Sequence, residues 1–535
     1  MAKESLTLTL IGVYLISLIS IGIFSSRRIS TDEQLYLGDR SAPWWAIGLS
    51  VISTYVGALS FVGAPAWSYT EGLSVLLIHI NYPIAIFFVV GVFLPFFYNS
   101  GVASIYEYLE RRFGMASRIL MAIVFLFSNF AYSGIMLYTT ALIVAFLTGI
   151  DVATIIILVG FFVLIYTSMG GINAVIWTDV LQSAIFIIGG FLVLGLLWIS
   201  LPEGLLDRLQ SLQRSDMLRV MDYSLDPSEV STVWTGLIAM SVYHVVVYGV
   251  NQMMVQRTLA AKSMADAKKA YLMMGYVAST IYLIFFGIGV MLFAFYRGKS
   301  FEDNNLILLS FVNDFGSPAA IAFVAAAIIA AAMSSLDSSV NSMATISNVD
   351  FLKRFERSEK TPQYYLRTTR IFTAFWALAA IVPALLLIGS DGSVLELLSK
   401  FGSFFVGAKL SMYLLGFYSR HATERGILFG VVAGFVILTM TEMFLDIAWP
   451  WYALIGGGVS IAVGLLCSLI LDGFQDAAHE LSIEGQKLLF VKEGRAPKKD
   501  GWYVIPGVFD KQSYWLLIFF VSNILVAVTF GTLYL

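Results

Sequence analysis

Fourteen times along this chain, about 20 residues pass with few or no charges, long enough for a helix to cross a bilayer. The stretches lie near 5–26, 44–71, 75–98, 118–147, 152–169, 174–200, 233–254, 270–296, 305–346, 365–388, 393–417, 424–446, 450–472 and 513–534. In hydrocarbon every backbone polar group needs an internal partner, which leaves helices or closed barrels as the spanning structures. The runs therefore predict an all-α, multi-pass membrane protein. Composition agrees: 59% of the 535 residues are hydrophobic and 13% charged, against roughly 25% charged in soluble domains. Segment 305–346 is too long for one span, and its start is expected to be a separate extracellular piece.

Several function classes drop out. No basic arm points to nucleic acid, and the net charge is only −3. The single cysteine, Cys467, excludes an intrachain disulfide framework and a multi-cysteine metal site. The four histidines, His79, His244, His421 and His479, have no HExxH or paired spacing, and no catalytic constellation is present, so the chain does not read as an enzyme. Segment 5–26 lacks a basic leader and is long enough to span, so it reads as a retained helix. Outer loop 201–232 reads as a short surface helix. Inner loop 473–512, with charges, Gly and Pro, reads as a partly ordered tether to the last span.

Cationic residues set the orientation. With the N-terminus outside, six of the 32 Lys and Arg fall on outer loops: Lys3, Arg208, Arg214, Arg219, Arg297 and Lys299. Lys400 and Lys409 fall inside a span, and the other 24, Arg257 among them, on inner loops. That asymmetry predicts both termini extracytoplasmic in a plasma (inner) membrane.

Three segments carry polar groups where lipid would reject them. Stretch 321–350, IAFVAAAIIAAAMSSLDSSVNSMATISNVD, is an apolar helix with Ser334, Ser335, Asp337 and Ser338 in its middle. Spacings of three and four put these side chains on one side. Hydroxyl, carbonyl and carboxylate oxygens suit a hard cation. Hydroxyls also glue helices together, but a carboxylate is a poor glue. Span 44–71 crowds Ser50, Ser53, Thr54, Gly57, Ser60, Gly63 and Pro65 into its middle, and span 233–254 holds His244, Gly249, Asn251 and Gln252 in its second half. With the leading helix set aside, these are the first and sixth spans. Interrupted helices at matching positions of two five-helix halves point to an inverted-repeat transporter. In GGINAVIWTDVLQSAIFIIGG, Gly170 and Gly171 end one helix, and Asp179 is either a snorkelling carboxylate or a cation ligand.

Five motifs in order carry a family resemblance: YLGDRSAPWWAIGLS at 36–50, YEYLERRFG at 106–114, GGINAVIWTDVLQ at 170–182, NQMMVQRTLAAKSMADAKKA at 251–270 and AAMSSLDSSVNSMATISNVDFLKR at 331–354. The chain resembles the sodium/solute symporters over about residues 5–472, and QRTLAAKS is most like the bacterial sodium/galactose branch. The resemblance implies a LeuT-type 5+5 inverted repeat with about 14 transmembrane helices. A leading helix and inner loop occupy 1–43, the first repeat 44–200, an extracellular loop 201–232, the second repeat 233–417, and three trailing helices 418–535. It implies Na+ as the coupling ion and no organic cofactor. Its common sodium site falls on Ser53, Val56, Ala331, Ser334 and Ser335. A second site, found in some members, falls on Asp179, Asp337 and Ser338. There the chain departs from those members, because Asp337 replaces a hydroxyl, so a second sodium, a shared proton or neither stays open.

The family's substrate positions fall on Ser60, His79, Tyr82, Tyr132, His244 and Tyr248, with Val247 at the aromatic that closes the pocket. Neither the galactose nor the sialic acid ligands are kept: His79 and His244 replace a glutamate and an asparagine, and Tyr132 an arginine. These positions offer hydroxyls, imidazoles and aromatic faces without a full charge, and an unpaired buried charge is costly. The expectation is a sodium-coupled symporter for a neutral sugar or polyol, a small-molecule partner rather than nucleic acid. The alternatives are an organic anion or sialic-acid-like solute, with Lys409 as the possible anchor, and, further behind, a transporter-like sensor, for which the chain has no room after 512.

Overall fold

The computed structural model describes residues 2–26, 31–102, 104–201, 210, 212, 215–301, 303–358, 360–389, 394–474 and 479–533. Its principal helices begin with α1 (Ala2–Ser26). The next apolar stretch is split into α2 (Trp44–Tyr55) and α3 (Ala58–Glu71). Then come α4 (Tyr82–Phe88), α5 (Met115–Thr148) and α6 (Val152–Ser200). The second half holds α7 (Met240–Gly249), α8 (Gln252–Leu259), α9 (Met264–Tyr296), α10 (Ile307–Phe315), α11 (Pro318–Ile346), α12 (Pro362–Ala379) and α13 (Val394–Tyr418). The chain continues through α14 (Glu424–Phe444), α15 (Tyr452–Asp472), α16 (Ile483–Lys492) and α17 (Lys511–Leu533).

Among the described residues, nine helices are long and apolar enough to cross a membrane, or ten if the bent pair of Thr235–Gly249 with Gln252–Leu259 is one span. The fold is a mostly helical, multi-pass architecture with helices of membrane-spanning length. The shortfall against fourteen has local causes. The first core stretch is broken in two, Val152–Ile165 is short, and α13 carries Lys400 and Lys409. The long segment 305–346 does divide, at Gly316, into α10 and α11. Ser317 caps α11 by accepting from the Ala320 amide at 3.2 Å, with Pro318 at the first helical position.

α11 is the centre. From Val324 to Ile346 every residue is buried, as required of a helix surrounded by others. It packs against α6, α5, α1, α12, α3 and α2. The leading helix is therefore part of the core contact: Tyr14 accepts a hydrogen bond from Gln182 Nε2 at 3.0 Å.

Both expected interruptions are present. α2 ends as the Val56 amide closes on Ile52 O at 2.8 Å, and α3 restarts on Gly57 O, which accepts from Ser60 N at 3.0 Å. A Cβ on Gly57 would lie 2.6 Å from Ser335 Oγ, so only glycine lets the broken helix approach α11 this closely. α7 ends at Gly249, Asn251 caps α8 through the Met253 amide at 3.1 Å, and the two helices meet at 49°. Gly171, at φ +57°, kinks α6 where a Cβ would lie 2.9 Å from Leu35 O.

Loop 473–512 is more than a tether. It forms α16 and a small hairpin pairing Lys498–Lys499 with Trp502–Tyr503. Asn99 Nδ2 donates to Val504 O at 2.6 Å, Gly507 N to Gly91 O at 2.8 Å, and Phe509 stacks on Phe87 at 4.3 Å. Lys268 forms a buried ion pair with Asp510. The surface helix expected in 201–232 falls mostly on 202–209, 211, 213 and 214, outside the described residues.

Candidate functional site

Two polar clusters lie along α11, and a cavity is lined by residues of α2, α3, α5, α7, α9 and α13. The first cluster faces the break between α2 and α3. Ser334 Oγ donates to Ser53 O at 2.8 Å and lies 2.9 Å from Ala331 O, while Ser335 Oγ donates to Thr54 O at 3.1 Å. Val56 is the residue at which α2 unwinds, with φ −84° and ψ 78°. All five expected residues are buried here. The break frees carbonyls from the helical ladder, and α11 brings hydroxyls to them across the gap. A cation among these oxygens would exchange each hydroxyl proton contact for an oxygen–cation contact, the chemistry hard cations prefer.

The second cluster holds Asp179 from α6 and Asp337 and Ser338 from α11, all fully buried. It also contains a residue that loop position alone misassigns. Arg257, from α8, places Nη2 3.3 Å from Asp179 Oδ2 and donates through Nε to Ser50 Oγ at 2.8 Å. It further donates to Ser338 Oγ and to Met253 O. Arg257 is thus no inner-loop cation exposed to water: it is 1% exposed. The available signal was its isolation, as the only charge in NQMMVQRTLAA at 251–261.

The cavity, about 180 Å³, lies between the two halves. Ser60, His79, Tyr132 and Val247 line it, joined by Thr54, Tyr55, Asn251, Tyr282 and Lys409. Ser60 Oγ and Tyr282 OH are hydrogen-bonded at 2.9 Å, and His79 stacks on Tyr282 with ring centroids 3.8 Å apart. Tyr82, His244 and Tyr248 are fully buried, off the cavity surface. His79 Nδ1 meets Tyr82 OH at 2.7 Å. Asn81 spends its amide on Gly236 O and Ile78 O, so its Oδ1 faces His244 Nδ1 as an acceptor. That fixes the proton on Nδ1 and leaves Nε2 to accept from Tyr55 OH at 3.0 Å. His244 therefore has both ring nitrogens engaged within the protein and orients Tyr55, which does reach the cavity.

The family model "Sodium:solute symporter family" matches residues 35–434. The chain belongs to this family. Among its relatives are the sodium/sialic acid symporter SiaT of Proteus mirabilis, 26% identical over 85% of this chain and 92% of that protein, and the sodium/sialic acid symporter NanT of Aliivibrio fischeri, 27% identical over 89% and 95%. Among solved structures, a substrate-bound, outward-open Na+-coupled sialic acid symporter superposes with TM-score 0.81 at 24% identity, covering 87% of this chain and 98% of that one. This last likeness shows a fold similar to LeuT-type transporters. As a sodium:solute symporter the protein is a transporter rather than an enzyme, with sodium as coupling ion and no organic cofactor indicated.

Arg257, Tyr55, Tyr282 and Asn81 of this symporter are not singled out by sequence. Each is placed by a partner distant in the chain: Tyr282, in a span with no sequence motif of its own, by Ser60, Asn81 and Tyr55 by His244, and Arg257 by Asp179.

Proposed function

We propose that this symporter imports a small organic anion, a carboxylate of the sialic-acid-like kind, together with sodium by alternating access. The observation that carries the reading is Lys409. It lines the cavity, is 6% exposed, and has no acidic partner among the described residues; its Nζ lies 5.7 Å from the Phe125 ring centroid. A buried cation without a counter-ion is costly, and an anionic solute supplies the missing charge. The neutral sugar expected from the sequence rested on pocket positions free of Lys and Arg. Lys409 lay outside that set, and the sialic acid symporters among the relatives also favour an anion.

Ser53, Val56, Ala331, Ser334 and Ser335 hold the sodium. Binding orders the break between α2 and α3 and favours the outward-open state; the solute then meets Ser60, His79, Tyr132 and Lys409, and the halves rock. Tyr82, His244 and Tyr248 shape that wall from behind. The architecture is two five-helix repeats, 44–200 and 233–417, with fourteen crossings counting the leading and trailing helices, both termini extracytoplasmic. The paired interruptions support it.

Sodium-gradient uptake of labelled N-acetylneuraminate in vesicles tests the reading, with lactate, galactose and myo-inositol as competitors. The expected result is uptake or competition by anions that is lost in Lys409→Met. Sodium-driven uptake competed by neutral sugars alone, and indifferent to Lys409→Met, would overturn it.

A further inference from the structure

One part of the solute cavity is walled by a segment that lies beyond both five-helix halves. Between α14 and α15 the chain makes a tight turn, Trp449–Trp451. Ala448 N donates to Pro227 O at 2.8 Å and Trp451 N to Ala448 O at 3.1 Å, which pins the turn. Tryptophans at the ends of spans commonly anchor at the membrane–water interface. Trp449 does not lie in water or lipid: it is 6% exposed, and its ring meets Tyr243 edge-on with centroids 6.1 Å apart. It lines the cavity together with Trp67, Ile78, Met240 and Tyr243.

The turn belongs to the same packed block as Lys409. A Cβ on Gly407, two residues before Lys409, would lie 2.7 Å from Gly457 N, so α13 and α15 touch backbone to backbone. α14 closes on α15 in the same way, with Gly430 against Ser460 O. Contacts this dense do not slide, so Trp449 and Lys409 hold a fixed separation. Phe404, which packs in the apolar cluster of Trp449, lies five residues before Lys409 on α13, about 7.5 Å along the axis. That span suits a sugar acid from its carboxylate to the far side of its ring.

We propose that Trp449 is a specificity-determining residue that touches the solute: with the carboxylate at Lys409, the body of the solute lies against the indole. The proposal rests on the anion reading above. The negative face of an aromatic ring favours the weakly positive C–H groups of a sugar-like ring. A carboxylate without such a body uses Lys409 alone. The cavity therefore selects by charge at one end and by apolar surface at the other, the few-polar, mostly apolar lining common to small-molecule sites.

Sodium-gradient uptake of labelled N-acetylneuraminate tests this, with full-length Trp449→Ala, Trp449→Leu and Trp449→Phe proteins in proteoliposomes and lactate as the competitor. Lactate carries the carboxylate but is too short to reach the turn. The KM for N-acetylneuraminate should rise about tenfold in Trp449→Ala and Trp449→Leu, equivalent to ~1.4 kcal/mol, and Trp449→Phe should restore most of the loss. Maximal rate, the sodium concentration for half-maximal uptake and inhibition by lactate should stay at their wild-type values. A tryptophan that only supported the fold would lower the rate or shift the sodium and lactate responses along with the KM. That pattern, or an unchanged KM in Trp449→Leu, would overturn the proposal. If Trp449→Ala does not fold, Trp449→Leu against Trp449→Phe decides alone. A wild type without sodium-driven uptake of N-acetylneuraminate would overturn the anion reading, and this proposal with it.

Discussion

The two polar clusters along α11 are built from opposite materials. One uses neutral oxygens: backbone carbonyls freed at the α2–α3 break and the hydroxyls of Ser334 and Ser335. The other uses carboxylates and is closed by a guanidinium. A transported ion must bind and also leave, so weak, neutral ligands that exist only while a helix is broken suit it. Buried carboxylates hold charge firmly; breaking such a pair by removing one partner costs about 3–5 kcal/mol. The contrast supports the proposal that the mobile ion binds at the first cluster, while Arg257 is a fixed charge within the second.

The strongest way to break this comparison is to remove both hydroxyls of the neutral cluster. Ser334→Ala with Ser335→Ala should abolish sodium-driven uptake, and each single change should raise the sodium concentration for half-maximal uptake about tenfold, roughly the effect of one ligand near 1.4 kcal/mol. Unchanged sodium activation curves would move the site elsewhere. Next in size is Lys409→Met. Losing the partner of a buried charged group costs about 2–5 kcal/mol, so the KM for an anionic solute should rise at least about thirtyfold while sodium binding to the solute-free protein stays as in the wild type.

How far the sequence shows this contrast depends on where each residue's partner lies. The first break is legible because Gly57 and its hydroxyl neighbours crowd one span, and α11 because Asp337 and three serines interrupt an alanine-rich run. Arg257 is not legible, because a cation close ahead of Lys262, Lys268 and Lys269 reads as one more inner-loop charge; only Asp179, 78 positions away, gives it a role. Lys268 misleads in the same way, since its partner Asp510 lies across the fold. Loop 473–512 is polar in composition, and its docking through Val504 O and Gly507 N is done by backbone groups that composition does not report. His244 shows the limit for single residues: an imidazole satisfied by Asn81 and Tyr55 has the same letter as one that binds solute.

A smaller change sharpens the comparison by geometry alone. Gly57→Ala puts a methyl 2.6 Å from the Ser335 Oγ position, and should raise the sodium requirement several-fold without altering solute selectivity; an unchanged sodium curve would mean the break can widen freely. Smallest in its effect on sodium is Asp510→Asn, remote from both clusters. It leaves Lys268 buried beside a neutral amide, so the thermal midpoint should fall by several degrees, while the sodium dependence of uptake stays at the wild-type value. A shifted sodium curve there would show that the docked loop is coupled to the ion site.

Sodium and Lys409 together should govern uptake of an anionic solute. The direct measurement is accumulation of labelled N-acetylneuraminate in proteoliposomes with and without an inward sodium gradient, in the wild type and in Lys409→Met. The expected result is sodium-dependent accumulation that Lys409→Met loses; accumulation that needs no sodium gradient, or that is unchanged in Lys409→Met, would contradict the proposed sodium-coupled anion symport.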